Sequence, residues 1–347
     1  MLAEPFYDPT KSYEENFTAG PFGAFADQET VTGATIPFGI PAGPLINSNF
    51  VAAAFRKGFD ICVYKTVRSQ AYPCHPHPNV LAVHIPGNLT LEQAAGELVA
   101  DTHYDQPLSI TNSFGVPSKD PAWWQADMKK ALASAGKGQT LVGSFQGTKK
   151  AGGTVQDFID DYVLAAKLVR ETGTKIIEAN LSCPNEGTAD LLCFDVERVK
   201  LIATQIKKAV SDAQLFIKVA YYADDNHLHQ LVKEVGPVVD GIAAINTIPA
   251  TIVDTQGKQA LPGEGRLRSG VCGAGIKWAG LDMVKRLAKL RAKTKTHFTI
   301  VGVGGVTQPE DYFEYRQAGA DEVMSATGAM WNPLLAQEIK MKKEAYE

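Results

Sequence analysis

Eight short apolar segments, rich in valine and isoleucine, recur along this sequence and alternate with segments of helical periodicity. The eight strand candidates are residues 35–43, 61–66, 140–147, 175–182, 215–220, 241–248, 298–305 and 322–328. Their apolar residues are continuous rather than alternating, which is typical of parallel strands buried on both faces. Eight parallel strands, each followed by a helix, close a barrel. The sequence therefore predicts an α/β fold, a (β/α)8 TIM barrel.

The helical segments support this alternation. In residues 154–172, Phe158, Tyr162 and Val169 fall on one helical face, and residues 194–213 and 276–293 show similar periodicity. A doubly wound open sheet is the alternative architecture. It would require a G-x-G-x-x-G turn after the first strand, and the sequence there reads "GIPAGP". The barrel is therefore the preferred prediction.

A helix start is predicted near the end of the chain. Thr307 and Glu310 flank Pro309, in the pattern of a capping residue followed by an acidic residue three positions later. Proline in the first turn is also typical of a helix start.

No linker, internal repeat or low-complexity segment divides the 347 residues. We therefore expect one domain over residues 1–347, with residues 1–34 as an N-terminal extension packed on the barrel. Two intervals, 67–139 and 249–275, are too long for simple connections, and they follow strands on the side where active-site loops lie. We expect long active-site loops at the C-terminal face of the strands. The first interval contains "SITNSFGVPS" (109–118), which predicts an additional strand.

The charge and cysteine patterns narrow the range of partners. The net charge is −4, and the one basic cluster, residues 340–343, is typical of the exposed end of a terminal helix. We expect no nucleic-acid partner. The N-terminus does not resemble a signal peptide, and no window of about 18 residues is continuously apolar, so we expect no membrane association. The five cysteines are scattered, with no C-x-x-C pair, which is typical of a reduced, cytoplasmic protein.

A metal site is not expected. Cys74, His75 and His77 are close together in the segment "CHPHP". Their spacing does not place ligands on one helix face, and no second cluster of ligands accompanies them. We prefer the interpretation that these three residues are polar side chains at the rim of a loop.

Glycine motifs end the last two predicted strands. "GVGGV" (302–306) follows the seventh strand and "SATGAM" (325–330) follows the eighth. Glycines at such positions let backbone N–H groups approach a phosphate, and in barrels of this kind a phosphate site lies between strands seven and eight. Either motif alone would be explained by a tight turn, but the pair predicts a phosphate site.

Polar residues close several of the other strands. They are Lys65, Asn180, Lys218, Asn246 and Thr247. Each follows an apolar run, so these side chains converge on one mouth, where burial without a ligand would be costly. Asn112 joins them if its loop folds over the mouth. A phosphate site with lysines and amides above it predicts a phosphorylated cofactor with a polar ring, and FMN fits this description.

The segment "NLSCPN" (180–185) resembles the signature of class 1 dihydroorotate dehydrogenases, the soluble FMN enzymes of pyrimidine synthesis. The likeness extends from about residue 36 to the C-terminus. It includes "YKT" (64–66), "NSFG" (112–115), "IKV" (217–219), "INT" (245–247), "SGVCG" (269–273), "GVGG" (302–305) and "ATG" (326–328).

This resemblance implies an oxidoreductase that converts (S)-dihydroorotate to orotate in de novo pyrimidine biosynthesis. Cys183 would be the general base that removes the C5 proton, and the C6 hydride would pass to flavin N5. The implied substrate contacts are Lys65, Asn112, Phe114, Gly115, Asn180, Asn185, Asn246 and Thr247. The implied FMN contacts are Ala42, Gly43, Lys65, Thr66, Asn112, Asn180, Lys218, Asn246, Gly270, Gly304, Gly305, Thr327 and Gly328.

Some residues depart from the family pattern. "HPHPNV" (75–80) stands where the family often has Pro-Arg, so an active-site arginine is missing from that position. Cys272 stands where a small residue is usual. The segment 248–270 is longer than in the simplest class 1 enzymes and resembles the flavin domain of dihydropyrimidine dehydrogenases.

Two other functions are therefore considered. One is a dihydropyrimidine dehydrogenase-type flavin subunit acting on uracil or thymine. Asn185 favours orotate, because that family usually has His or Gln there. The other is a non-catalytic flavin-binding barrel, which the presence of Cys183 and the four asparagines argues against. The resemblance also implies a homodimer and a soluble electron acceptor, either fumarate or an electron-transfer subunit linked to NAD.

Overall fold

The computed structural model describes residues 4–27, 29–31, 33–182 and 191–346. The strands, in chain order, are β1 (Phe38–Ile40), β2 (Ile61–Val67), β3 (Val80–Val83), β4 (Glu97–Asp101), β5 (Ser109–Asn112), β6 (Thr140–Phe145), β7 (Ile176–Asn180), β8 (Gln214–Val219), β9 (Gly241–Ala244), β10 (Ile248–Val253), β11 (Arg268–Gly273), β12 (Thr299–Val303) and β13 (Glu322–Met324). The α-helices are α1 (Tyr13–Ala19), α2 (Ser48–Arg56), α3 (Leu91–Ala95), α4 (Pro121–Ala133), α5 (Val155–Arg170), α6 (Val196–Ala209), α7 (Asp225–Val235), α8 (Lys277–Thr294), α9 (Pro309–Ala318), α10 (Thr327–Trp331) and α11 (Leu335–Tyr346).

Eight of the strands pair in parallel and close into a barrel. Their order around the barrel is β1, β13, β12, β9, β8, β7, β6 and β2, and β2 pairs with β1 to complete the ring. The eight strands correspond one for one to the eight apolar segments of the sequence. The predicted (β/α)8 barrel is therefore confirmed.

Alternate residues of the barrel strands fill its interior. The inner layer is built from Ile61, Val63, Val142, Phe216, Ala243, Val301, Val303 and Met324. The residues between them pack outward against the helices, which is why both faces of each strand are apolar. Because side chains alternate along a strand, the inward positions that follow this layer are Lys65, Ser144, Glu178, Asn180 and Lys218. The apolar interior therefore ends in a polar layer at the carboxyl ends of the strands.

The two long intervals are not structureless. They supply β3, β4, β5, β10 and β11, which form a second closed sheet of five strands. β5 is the additional strand predicted in residues 109–118, and it pairs with β11, bringing Asn112 opposite Gly270. The other four strands were not predicted. β3 and β4 are only four and five residues long, and β10 and β11 contain proline or glycine, so periodicity did not reveal them. The interval 249–275 thus contributes two strands to a sheet beside the barrel mouth.

The N-terminal segment packs against the barrel and its mouth. Phe6 stacks on Phe25 with ring centroids 4.2 Å apart, and its N–H donates to the carbonyl of Met330 at 3.0 Å. The rings of Tyr7 and Tyr13 both contact Phe114, at centroid distances of 5.7 and 6.2 Å. These contacts bring the N-terminal segment to the loop that follows β5.

Two local predictions need correction. α9 does begin at Pro309, but its capping box joins Gln308 and Asp311 rather than Thr307 and Glu310. The Asp311 carboxylate accepts from the N–H groups of both Thr307 and Gln308. Asp311, one position after the expected Glu310, therefore pairs the free N–H groups at the start of this helix. Thr307 and Glu310 match the usual capping-box pattern and Gln308 and Asp311 do not, so only the turn geometry shows which pair is used.

The basic cluster at residues 340–343 is not simply an exposed helix end. Lys340 is 8% exposed, and its Nζ lies 2.8 Å from Oδ2 of Asp60, which is also buried. The same Asp60 oxygen accepts from the N–H of Ile36 at 2.8 Å. The pair therefore fixes the C-terminal helix α11 to the start of β2.

Breaking this pair should be costly. Lys340→Met leaves the buried Asp60 carboxylate without its cation, and we expect a loss of about 3–5 kcal/mol in the free energy of unfolding. Denaturant unfolding followed by circular dichroism measures the change. The matched control is Lys200→Met, which breaks a more exposed pair with Glu234 and should change the free energy of unfolding far less, because solvent screens that pair. Equal losses in the two variants would contradict the structural role given to Lys340.

Candidate active site

A cavity lies at the carboxyl ends of the barrel strands and brings most of the predicted site residues together. Those that line it are Ala42, Gly43, Lys65, Thr66, Asn112, Phe114, Gly115, Asn180, Lys218, Asn246, Thr247, Gly270 and Thr327. Gly304, Gly305 and Gly328 do not line this cavity and lie behind it, at the ends of β12 and β13. Cys183 and Asn185 lie outside the described residues.

The floor of the cavity is a polar layer carried on four adjacent strands. The hydroxyl groups of Thr66 and Ser144 are 2.9 Å apart, and Ser144 hydrogen-bonds to Glu178. Ser144 pairs with Glu178 across β6 and β7. Lys218 lies on β8, opposite Asn180 and therefore diagonal to Glu178 on the same face. The strand register thus places one cation and one carboxylate side by side inside the barrel.

Burial disfavours the charged form of both groups. Burial lowers the pKa of Lys218, and the nearby Glu178 carboxylate opposes this effect. Burial raises the pKa of Glu178, while Lys218 and the Ser144 hydroxyl oppose that shift. Oε1 of Glu178 has no hydrogen-bond partner among the described residues. Each group therefore opposes the effect of burial on the other, and Glu178 has one unsatisfied oxygen in a residue that lines the cavity.

Two of the predicted asparagines are held by protein contacts. Asn180 donates through Nδ2 to Oε1 of Gln146 at 2.8 Å and accepts from the N–H of Ser182 at 3.3 Å. Asn246 donates to the carbonyl of Ser182 at 3.1 Å. Both contacts reach the segment that immediately precedes Cys183. These amides therefore fix the start of that segment as well as lining the cavity.

Asn112 and Thr327 share a sulfur atom. Asn112 Nδ2 and Thr327 Oγ1 both lie 3.4 Å from Sγ of Cys272, which also lines the cavity. Burial raises the pKa of the Cys272 thiol, so it is a neutral acceptor here. The cysteine that departs from the family pattern thus links the second sheet to the end of β13.

The ends of β12 and β13 present backbone N–H groups without partners. Gly304, Gly305, Thr327 and Gly328 are buried, and among the described residues no oxygen accepts from their N–H groups. Gly305 has a φ of +69°, and a Cβ there would lie 2.6 Å from the backbone nitrogen of Lys277. Buried N–H groups are nearly always paired, so an acceptor from outside the protein, such as a phosphate, fits this position.

A second set of N–H groups lies in the loop after β5. The carbonyl of Ser113 accepts from Arg266 at 2.8 Å, that of Phe114 from the N–H of His75 at 3.0 Å, and that of Gly115 from Arg68 at 3.4 Å. In a trans peptide the N–H points opposite to the carbonyl. The next three N–H groups, those of Phe114, Gly115 and Val116, therefore point away from these partners, and no described oxygen accepts from them.

This loop is strained in a way that suggests function. Val116 has a φ of +52°, which is a genuine outlier for a β-branched residue. Such strain persists only where the surroundings impose it and is concentrated at ligand sites. Because Phe114, Gly115 and Val116 all line the cavity, their N–H groups form a concave donor site for an anion.

Several cavity residues were not predicted. Glu178 lies two positions before Asn180, so the same alternation that selected Asn180 could have selected it. Val116 could not be found, because its backbone angle is not encoded in a local pattern. Tyr7 and Tyr13 reach the cavity only through the fold of the N-terminal segment.

The described residues contain neither a candidate metal site nor a helix that could span a membrane. Within the described ranges, no group of three or more His, Cys, Asp or Glu side chains could hold a metal ion. Over the same residues, the helices are too short or too polar to cross a membrane.

These features define a (β/α)8-barrel protein with a polar ligand site at its mouth and two separate donor sites for anionic groups. Comparison with known proteins agrees. The family model described as dihydroorotate dehydrogenase matches residues 87–345. A dihydroorotate dehydrogenase of Dictyostelium discoideum is 33% identical over 97% of this chain and 97% of its own length. The chain belongs to the dihydroorotate dehydrogenase family, as predicted.

Two further relatives extend this comparison. The catalytic subunit of dihydroorotate dehydrogenase B (NAD(+)) from Thermodesulfovibrio yellowstonii is 28% identical over 68% of this chain and 72% of that subunit. The crystal structure of DHODH from Eimeria tenella, in complex with ferulenol, aligns with a TM-score of 0.66. That alignment covers 89% of this chain and 81% of the other at 17% identity, so it supports the fold alone.

The coupling between Lys218 and Glu178 predicts a pH dependence. Burial already raises the folded pKa of Glu178 above its unfolded value, and Lys218 opposes this shift. Lys218→Met removes the opposing cation, so the folded pKa of Glu178 rises further. Stability that is present below the unfolded pKa is then lost as pH rises through the wider range up to the folded pKa. We expect the free energy of unfolding to fall by up to about 1.4 kcal/mol per pH unit over that range.

The control is the double variant Lys218→Met/Glu178→Gln, which has no titrating group at this position and should lack the slope. Urea unfolding of both proteins between about pH 5 and pH 8 measures the difference. Parallel stability curves for the single and double variants would show that the two groups are not coupled.

Proposed function

We propose that this protein oxidises (S)-dihydroorotate to orotate with bound FMN. The observation that carries the proposal is the donor site formed by the N–H groups of Phe114, Gly115 and Val116. Dihydroorotate differs from dihydrouracil by one carboxylate, and backbone N–H groups in a concave loop are suited to bind a carboxylate. The name of the Dictyostelium relative supports the same substrate.

FMN fits the rest of the site. Its phosphate would be bound by the N–H groups at the ends of β12 and β13, between Gly304 and Gly328. Its ring would be held by residues that line the cavity, among them Gly43, Lys65, Thr66 and Lys218. A Cβ at Gly43 would meet no protein atom within 4 Å, so this residue borders open space on the cavity side. When bound, FMN supplies the acceptor for the hydride that leaves C6 of the substrate.

Side chains of the protein would bind the substrate and remove its C5 proton. Lys65, Asn112, Asn246 and Thr247 all line the cavity and would bind the pyrimidine ring. We propose Cys183 as the general base that takes the proton from C5, because it follows directly on the segment fixed by Asn180 and Asn246. We propose Asn185 as a further ligand of the pyrimidine ring.

The substrate is tested by reducing the flavin directly. Holoenzyme reconstituted with FMN is mixed anaerobically with dihydroorotate or with dihydrouracil, and flavin absorbance is followed in a stopped-flow instrument. We expect rapid bleaching by dihydroorotate and little by dihydrouracil, because only the first compound carries the carboxylate. Bleaching by dihydrouracil alone would instead identify a dihydropyrimidine dehydrogenase-type enzyme.

Reconstitution with riboflavin provides the control for the cofactor. Riboflavin has the same ring but no phosphate, so it should be retained far more weakly than FMN on gel filtration. Equal retention would show that the glycines after β12 and β13 do not bind a phosphate. Stoichiometric FMN that neither dihydropyrimidine reduces would indicate a non-catalytic flavin-binding barrel.

Cys183→Ala separates binding from proton removal. The variant should keep FMN and bind orotate, because the proposed contacts to both come from other residues. Flavin reduction by dihydroorotate should fall roughly 10²- to 10⁴-fold, the usual contribution of a positioned general base. Stopped-flow reduction and orotate titration measure the two properties separately.

Cys183→Ser serves as the conservative comparison. A hydroxyl ionises much less readily than a thiol, so the serine variant should show weak activity that rises with pH. Near-normal reduction by the alanine variant would assign the base to another residue.

A further inference from the structure

Arg266 is a buried cation that the proposed reaction does not use. Its side chain is 2% exposed, and it comes from the interval 249–275, just before β11. Its contacts are all to neutral oxygens. Nε donates to Oγ of Ser113 at 3.1 Å. Nη1 donates to the carbonyl of Pro76 at 2.7 Å and to the carbonyl of Pro262. Nη2 donates to the carbonyl of Pro78 at 3.1 Å and to that of Ser113 at 2.8 Å.

The guanidinium charge is therefore buried without a counter-ion in the described part of the chain. Burying a cation is costly unless it is paired, and here no described carboxylate pairs with it. Arginine has five N–H donors in a fixed fork, and this fork holds three segments together. These are the proline-rich loop at 75–79, the loop at 113–116 and the interval 249–275.

The contact with Ser113 determines the direction of one donor in the anion site. The carbonyl of Ser113 and the N–H of Phe114 belong to the same peptide group. When Arg266 donates to this carbonyl, it fixes the orientation of the peptide and polarises it, so the N–H on the opposite side becomes a better donor. The side-chain amide of Asn79 donates to the same carbonyl at 3.0 Å. The backbone carbonyl of Asn79 accepts from the N–H of Ser113 at 2.9 Å.

His75 supports the next peptide of the loop and remains neutral. Its N–H donates to the carbonyl of Phe114, and its Nδ1 lies 3.2 Å from Ser113 Oγ. Burial and the nearby Arg266 and Arg68 lower the pKa of its imidazole.

Two cations therefore contact the loop at 113–116. Arg266 donates to the carbonyl of Ser113, and Arg68 donates to the carbonyls of Gly115 and Val116. Only Arg266 acts on the peptide group that carries the N–H of Phe114.

We propose that Arg266 is a positioning residue that makes the loop at 113–116 selective for a carboxylate-bearing pyrimidine. It does so without touching the substrate, by fixing the N–H groups that bind the carboxylate and by adding a positive charge behind them. In low-dielectric surroundings an uncompensated cation favours an anionic ligand over a neutral one. This inference rests on the proposed function and extends it, because it assigns the choice between orotate and uracil to the interval 249–275.

The experiment compares two ligands that differ only in the carboxylate. The dissociation constants of orotate and uracil are measured by calorimetry with the FMN-loaded wild type and with Arg266→Gln. We expect the orotate dissociation constant to rise roughly 10- to 100-fold, about the effect of losing one hydrogen bond to a charged group. The uracil constant should change less than about twofold, because uracil does not use the carboxylate site.

Two further variants serve as controls. Arg266→Lys keeps the charge but loses the fork, so its selectivity for orotate should fall between those of the wild type and Arg266→Gln. Arg268→Gln removes an exposed arginine of β11 whose Nη2 donates to the carbonyl of Pro249 at 3.3 Å. It should bind both ligands as the wild type does.

The outcomes separate this inference from the proposed function. A wild type that prefers uracil contradicts the proposed substrate before any variant is considered. If the wild type prefers orotate but Arg266→Gln is unchanged, or weakens both ligands equally, only the role of Arg266 is overturned. If Arg266→Gln does not retain FMN, the test uses Arg266→Lys instead, and the ratio of its dissociation constants for orotate and uracil is compared with that of the wild type. A reduced preference for orotate supports the role, and an unchanged preference overturns it.

Discussion

Closure of eight parallel strands into one barrel is the constraint on which the rest of the structure depends. Because all the strands run in the same direction, their carboxyl ends meet at one mouth. Because side chains alternate, every second residue of each strand points into the same interior. Apolar side chains from several strands, among them Val63 and Met324, fill that interior as one layer. The next inward positions have no apolar layer above them, and polar residues occupy them.

These polar residues explain why the mouth is suited to a charged, heterocyclic ligand. Lys218 and Glu178 are both buried, and the charge of each opposes the pKa shift that burial causes in the other. Glu178 keeps one oxygen unsatisfied, and the N–H groups near Gly304 and Val116 have no described acceptor. Unsatisfied buried groups cost free energy. A cofactor with a phosphate and a polar ring, bound together with a substrate that carries a carboxylate, would recover it.

The second sheet joins the two long intervals at the cavity. β5 and β11 bring Asn112 and Gly270 to the cavity, and Arg266, just before β11, donates to the carbonyl of Ser113 in the loop that follows β5. Ser113 and Arg266 are 153 residues apart along the chain. The position of the loop at 113–116 therefore depends on both intervals.

The sequence by itself determined the features that depend on local patterns. Continuous apolar runs predicted the eight barrel strands, and polar residues at their ends predicted Lys65, Asn180, Lys218 and Asn246 at the mouth. A residue's position along a buried strand decides both its depth and its direction, so such residues can be read from spacing.

Only the tertiary structure decided the features that depend on distant segments. The pairing of Lys340 with Asp60, the second sheet and the contact of Arg266 with Ser113 join residues far apart in the sequence. The positive φ of Val116 is imposed by the surrounding loops rather than by its own preference, since a β-branched residue disfavours it. Local spacing carries no information on such contacts, because which distant segments meet is fixed by packing of the whole chain.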